Sequence, residues 1–317
     1  MLLVQQKYWK IFLKMNKNSN YSIKTRAKTF YFASFFFNKK IKDEISTLYI
    51  FCRYIDDISD SGNLNKIKAK QKLKGITKDL KKLKSEDIIV KKFIRLMIKK
   101  KIQIRTPIML INGVMQDLGK VELKDLEELI IYSYKVAGTV GLMVCNILEV
   151  NKKELKFKGI QLGIAMQITN IIRDIEEDLK RNRIYFPLEY LTIKKNKPKQ
   201  ILKDIKLQKE FSKNIERLKD FSDLIYTNST IGIYKLPIRF RLPIALASKL
   251  YQGIGFKIKK HQYNVWNKRH YLSFVEKLAK SLVVLFEIFL VRNIVENKKV
   301  ENKLNKILLR LSSSYCD

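Results

Sequence analysis

Proline and glycine are scarce in this chain, 5 and 11 among 317 residues, and they nowhere cluster into a linker. That favours one continuous, mostly helical domain over two joined by a flexible connector. Cysteine is scarcer still. Cys52, Cys145 and Cys316 are too few and too scattered for a disulfide framework or a thiolate zinc site, and they point to a reducing compartment. The two histidines, His261 and His270, have no partners at metal-ligand spacing. No apolar run reaches the roughly 18–20 residues of a membrane-spanning helix. The nearest, Leu282 to Val291, contains Glu287 and reads as a buried core helix rather than a membrane-surface contact. Lysines break the apolar run of the opening MLLVQQKYWKIFLKMNKN, so it lacks the apolar centre of a secretory signal; Ser and Arg, which organelle transit segments favour, are sparse there.

Acidic side chains are also in deficit, 30 against 65 Lys+Arg, for a formal charge of +35. Lysine abounds here together with isoleucine and asparagine, the bias expected of an AT-rich genome, and most lysines fall on helix faces that water would cover anyway. Beyond composition, such a charge suits anionic lipid headgroups or diphosphate substrates. Nucleic acid is not expected: there is no basic helix with heptads, no zinc-finger spacing and no aromatic strand motif.

What remains reads at the helical period almost throughout. Helices are expected near 22–37, 43–60, 64–84, 86–101, 122–149, 155–181, 199–226, 239–260 and 270–293. Gly62, Pro107, Gly113, Pro187, Pro198 and Pro237 fall at or near the breaks. No stretch alternates well enough to be a strand, so the expected fold class is all-α.

Two acidic segments carry the chemistry. Asp56 and Asp60 are four apart and share a helix face, and Cys52, Tyr49 and Ile45 continue that face backwards, so an apolar line runs into the carboxylates. Asp57 is turned away by roughly 100°, one turn after Arg53, with which it can pair. In the second segment Asn170, Asp174 and Asp178 follow at i, i+4 and i+8, Gln167 extends the row, and Ile168, Ile171, Ile172 and Ile175 flank it. A polar row among isoleucines implies a helix buried nearly all round, with the row facing a cavity. Stacked, buried acids repel and resist ionising, so something must compensate. Carboxylates with an amide oxygen make hard sites suited to Mg²⁺ or Mn²⁺, which take only one or two carboxylates and complete their shells with water and phosphate oxygens. Two such helices would clamp a diphosphate, with Arg53, Arg173, Arg181 and Arg183 as direct donors. Asp57 and Glu177 read as structural partners.

At these residues the chain resembles the squalene and phytoene synthase family of head-to-head isoprenoid synthases. FCRYIDDISD and QITNIIRDIEEDLKRNRIYFP are similar to its two Asp-rich motifs, YSYKVAGTVGLM to the segment lining its prenyl channel, and KTFYFAS to its N-terminal flap, with Thr29 replacing a serine. YQGIGFKIKKHQYNVWNKRHYLS resembles its C-terminal Tyr…Arg segment, most closely that of bacterial-type phytoene synthases. The resemblance covers roughly residues 22 to 280. It implies an isoprenoid synthase fold: a helical bundle around an apolar cavity, spanning 21–293, with an extension at 1–20 and a helical tail at 294–317. It also implies that one prenyl diphosphate ionises and is captured by a second, giving a cyclopropylcarbinyl diphosphate that ionises and rearranges. Carried over by position, Asp56, Asp60, Asp174 and Asp178 become metal or diphosphate ligands and Asn170 a metal ligand. Gln167, Arg53, Arg173, Arg183, Tyr251 and Arg269 become substrate contacts; Thr29, Phe30, Tyr134, Gly138, Val140 and Gly141 line the substrate path. The implied cofactor is Mg²⁺ or Mn²⁺, three ions with bound diphosphate. Two geranylgeranyl diphosphates going to phytoene without NADPH is the favoured reaction. Two farnesyl diphosphates going to dehydrosqualene, squalene or hydroxysqualene is the alternative. A silent homologue serving as an interaction protein would be expected to lose carboxylates, and all four are intact. A greasy substrate and a basic chain lead us to expect a cytoplasmic protein peripheral to an anionic membrane surface.

Overall fold

In the computed structural model, which describes residues 32–34, 36–60, 65–191, 198–289 and 297–313, the first long helix shows why the apolar period matters. Helix α1 (Lys39–Asp60) buries Ile41, Ile45, Leu48, Phe51, Ile55 and Ile58, one stripe at intervals of three and four. Helix α2 (Lys66–Lys82) starts where the Asn65 side chain accepts from the Lys68 amide and stops at Leu83, in the left-handed region at φ 52°. Helix α3 (Ile88–Lys99) is capped by Asp87. It packs on α1 through Phe93, whose ring stacks on Phe51 with centroids 3.8 Å apart. Both rings are fully buried, so Phe51→Ala is expected to cost about 3–5 kcal/mol of unfolding free energy. Urea unfolding would check this, and a loss below about 1 kcal/mol would contradict the packing described.

Helix α4 (Arg105–Gln116) lies where the sequence pattern suggested a break. Pro107 is its third residue, where a missing N–H costs nothing. Gly113 is buried so close to the next helix that a Cβ would lie 2.8 Å from both Lys135 Cβ and Val136 Cγ1. Strand β1 (Val121–Glu122) pairs in parallel with β2 (Arg183–Ile184), a small exception to the helix-only expectation. The single helix expected at 122–149 is α5 (Leu126–Ser133), a π-turn (Tyr134–Gly138) and α6 (Thr139–Ile147) in one run. That run, Leu126–Ile147, is long and apolar enough to cross a membrane by length and composition, contrary to the sequence reading. Its apolar side chains instead pack on α4 and on the central helix α7 (Lys153–Lys180).

Helices α8 (Pro198–Ile201), α9 (Ile205–Tyr234) and α10 (Ile238–Lys260) follow, α9 capped by Asp204 and running past its expected end at 226. Helix α11 (Phe274–Phe289) packs on α10, and α12 (Lys298–Ser313) on α5 and α9. One apolar core gathers around α7, α9, α10 and α12, the other around α1 to α4 and α6. The seam between them holds the site. The expected helix at 22–37 falls mostly outside the described residues, as do Thr29 and Phe30.

Candidate active site

A cavity of about 270 Å³ occupies that seam. From Leu155 to Asn170 the α7 residues that line it span about 22 Å along the helix. Opposite them stand Leu48, Tyr49 and Cys52 of α1, Val140, Gly141 and Val144 of α6, and Tyr251 of α10. The walls can close because backbones touch. A Cβ on Gly141 would lie 2.2 Å from the Gly159 carbonyl oxygen, and one on Gly163 would lie 2.3 Å from that of Ala137. Glycine is therefore required at both for α6 and α7 to meet. Val140 and Gly141 line the cavity; Gly138 and Tyr134 do not, and Gly138 is buried against the Tyr134 ring and Ile160, where it sets helix spacing. At the Leu155 end the floor includes Lys158, a residue the sequence reading did not single out. Its ammonium pairs with Glu301 of α12 at 3.0 Å.

The other end is polar. Gln167, Asn170 and Tyr251 face the cavity there, and the Asn170 Oδ1 is buried without a hydrogen-bond partner. Beyond them come the acids. Burial pushes Asp56 up to about 7, with Asp60, Asp117 and Asp57 adding to the rise and Arg53 opposing it. Burial, then Asp174, push Asp178 well above the usual carboxylate range against the pull of Arg181 and Arg183. Burial also raises the Tyr251 phenol and takes Tyr49 up to about 12, so both stay neutral.

The other two carboxylates are gripped by arginine. Asp60 accepts from Arg183 at 2.7 Å and from Arg181 at 2.8 Å, bonds that tie α1 to the end of α7. Burial alone would raise Asp60, but Arg183 and Arg181 outweigh it and hold the carboxyl below its usual value. Asp174 is held from two sides, by Arg173 (Nη2 to Oδ2, 2.6 Å) and by Arg269 (Nη2 to Oδ2, 2.8 Å), with Arg269 also donating to Glu177. Asp60 and Asp174 in the acid ladders thus face guanidinium groups, some of them from distant parts of the chain, a tertiary pairing that spacing along one helix does not reveal. Arg53 pairs with Asp57 at 2.5 Å, as the helix geometry suggested.

Asp117, just past α4, is a site residue the sequence reading missed. It accepts from Tyr185 at 2.8 Å and Tyr132 at 3.1 Å, and burial, partly offset by the Tyr185 hydrogen bond, raises it to about 6. The β1–β2 pair holds Arg183 and Tyr185 in register for this, which gives the RIYFP run its structural sense: Arg183 grips Asp60 while Tyr185 grips Asp117.

Among the described residues no three acids, cysteines or histidines converge tightly enough to hold a metal ion unaided. The donors present still fit a hard divalent cation. Asp56 and Asp178 carry carboxyls that resist ionising, and Asn170, on the same face of α7 as Asp178, presents an orphaned oxygen. Mg²⁺ needs only one or two such ligands when a substrate phosphate and water supply the rest.

Residues 23–276 match the family model described as squalene/phytoene synthase. A 15-cis-phytoene synthase of Enterobacter agglomerans is 28% identical over 80% of this chain and 89% of its own length. A phytoene synthase of Rhodobacter capsulatus is 27% identical over 78% of this chain and 74% of its own. Among solved structures, a dehydrosqualene synthase in complex with a ligand superposes with a TM-score of 0.73 at 24% identity, over 89% of this chain and 98% of that one. A squalene synthase from Alicyclobacillus acidocaldarius gives 0.65 at 20% identity, over 76% and 91%.

Proposed function

This chain belongs to the squalene/phytoene synthase family, prenyltransferases that join two prenyl diphosphates head to head, and from that premise we propose that its substrates are two geranylgeranyl diphosphates and its product phytoene. The observation that carries the reading is the layout of the site: an apolar cavity whose polar end is Gln167, Asn170 and Tyr251, with the acid rows and the arginines that grip them one and two helical turns further along α1 and α7. A prenyl diphosphate has the same two halves. Relatives bearing the name phytoene synthase support the choice of the longer substrate.

Each residue set has a task. Arg173, Arg181, Arg183 and Arg269 are directional donors, and in exchanging a carboxylate for a departing diphosphate they stabilise the charge that builds on it. Asp56, Asp178 and Asn170 would hold the divalent cations. When bound, those ions would supply Lewis-acid charge to the leaving group. Tyr251 and Tyr49, neutral at all ordinary pH, place phenol rings between the polar end and the apolar walls. Val140, Gly141 and Val144 exclude the water that would quench an allylic cation.

The test is to supply geranylgeranyl or farnesyl diphosphate with Mg²⁺, with and without NADPH, and weigh the hydrocarbon formed. A C40 hydrocarbon with a central conjugated triene, formed from geranylgeranyl diphosphate independently of NADPH, is the expected result. Preferential C30 product from farnesyl diphosphate would overturn the chain length, and no hydrocarbon from either would overturn the reaction.

A further inference from the structure

Helix α11 is turned inside out. The sequence reading expected a buried core helix around Leu282, yet Leu282 is 53% exposed and Phe286 72%. Val275, Leu278, Leu282 and Phe286 recur at helical spacing on one outward stripe, with Val283 beside it and Phe274 at its head. The polar residues face inward. Lys277 and Ser281 are buried, Glu276 pairs with Lys257, and Glu287 with Lys249, both on α10. Among its described apolar side chains, Val284 and Ile288 are the ones that reach the core. A helix on a water-facing surface buries its apolar stripe, and a contiguous exposed one marks an interaction surface.

We infer that the outer face of α11 docks into the headgroup region of an anionic lipid bilayer. The adjoining outer face of α10 extends the patch with Phe256, 48% exposed, and borders it with the exposed Lys259 and Lys260. Apolar and aromatic groups rimmed by lysine are what an interfacial helix presents to lipid. The chain's +35 charge draws it toward anionic headgroups rather than toward a second, equally basic copy. Area argues the same way: a 16-residue helix offers a stripe about 24 Å long and 10 Å wide, well short of the roughly 800 Å² per partner of a stable dimer. Position gives the face a use. Helix α11 packs on α10, whose opposite side lines the cavity with Ile244, Ala247 and Tyr251, so one helix separates the lipid from the cavity. This last point rests on the proposed reaction, whose hydrocarbon product has no place in water; the arguments from exposure, charge and area do not.

The experiment uses the full chain without substrate, so its outcome is independent of turnover. The chain is floated with phosphatidylcholine vesicles containing or lacking phosphatidylglycerol, beside the Leu282→Glu/Phe286→Glu double variant. The wild-type chain is expected to float with the anionic vesicles and the double variant at least about tenfold less, with unchanged circular dichroism. The Phe286→Trp chain is expected to gain fluorescence that brominated lipid quenches. Undiminished flotation of the double variant, or no added quenching, would overturn the assignment. So would a lipid-free dimer that the double variant dissociates, since the face would then belong to a second copy.

Discussion

Asp56→Asn is expected to lower turnover by roughly 10²–10³-fold or more and, in the same protein, to raise the melting temperature of the metal-free fold at pH 8. The two effects have one cause. Burial raises the Asp56 carboxyl to about 7, and Asp60, Asp117 and Asp57 reinforce the rise against Arg53. A carboxyl raised in the folded state stabilises the fold below its unfolded value and loses that contribution as pH climbs through the folded value. For Asp56 the loss runs from the ordinary 3.8 up to about 7, so at pH 8 the ionised group is a net burden on the fold. Asparagine keeps the shape and removes the charge. The burden amounts to a few kcal/mol, and at roughly 2–4 °C per kcal/mol the melting point should rise by several degrees. Asp178→Asn should behave alike, because burial and Asp174 raise it in the same direction. An acid that costs stability and stands one helical turn beyond the cavity-lining Cys52 is retained for its chemistry. Calorimetric melting beside steady-state turnover tests this. A variant that melts lower, or turns over normally, would show that Asp56 has a structural role instead.

How much of this could be seen in the sequence depends on the range of the interaction. Local periodicity located α1, α7 and the acid rows, because a helix face is set by residues three and four apart. Arg53 and Asp57 were equally local, and their ion pair lies where the helix geometry put it. Helix α4 was hidden because Pro107 and Gly113 looked like punctuation. In the fold the first sits in an opening turn and the second makes room for Lys135 and Val136. Asp117 was hidden for a different reason. Its tyrosine partners come from α5 and from the segment after β2, so no window along the chain contains the constellation. The arginine grip on Asp60 and Asp174 likewise joins residues 121 to 123 and 95 apart, respectively. Helix α11 shows a limit of another kind. Periodicity tells which residues share a face, but not whether that face turns toward the core, and here it turns outward.

Removing divalent metal is expected to abolish turnover, and the apparent affinity for Mg²⁺ in the presence of inorganic diphosphate should weaken from pH 8 to pH 6 by about tenfold more in the wild-type chain than in Asp56→Asn, which carries the protonation of the diphosphate itself as background. A metal ligand must be deprotonated. With Asp56 at about 7, a proton competes with the cation through that whole interval, where an ordinary carboxylate would long since have lost it. A single proton at pKa 7 weakens binding about 11-fold at pH 6 and about 1.1-fold at pH 8, hence the factor of ten. Asp178, raised in the same direction, should steepen the dependence rather than cancel it. Asp60 cannot contribute, because Arg183 and Arg181 hold it below the usual range and it is ionised throughout. The measurement is Mn²⁺ or Mg²⁺ titration of the chelator-treated protein with diphosphate, followed by calorimetry, across pH 6 to 8. A wild-type slope no steeper than that of Asp56→Asn would remove Asp56 from the cation site. If Asp56→Asn lessens the slope that the wild-type chain shows, Asp56 is the proton-coupled ligand, and the carboxyl that burdens the empty fold is the one the metal needs.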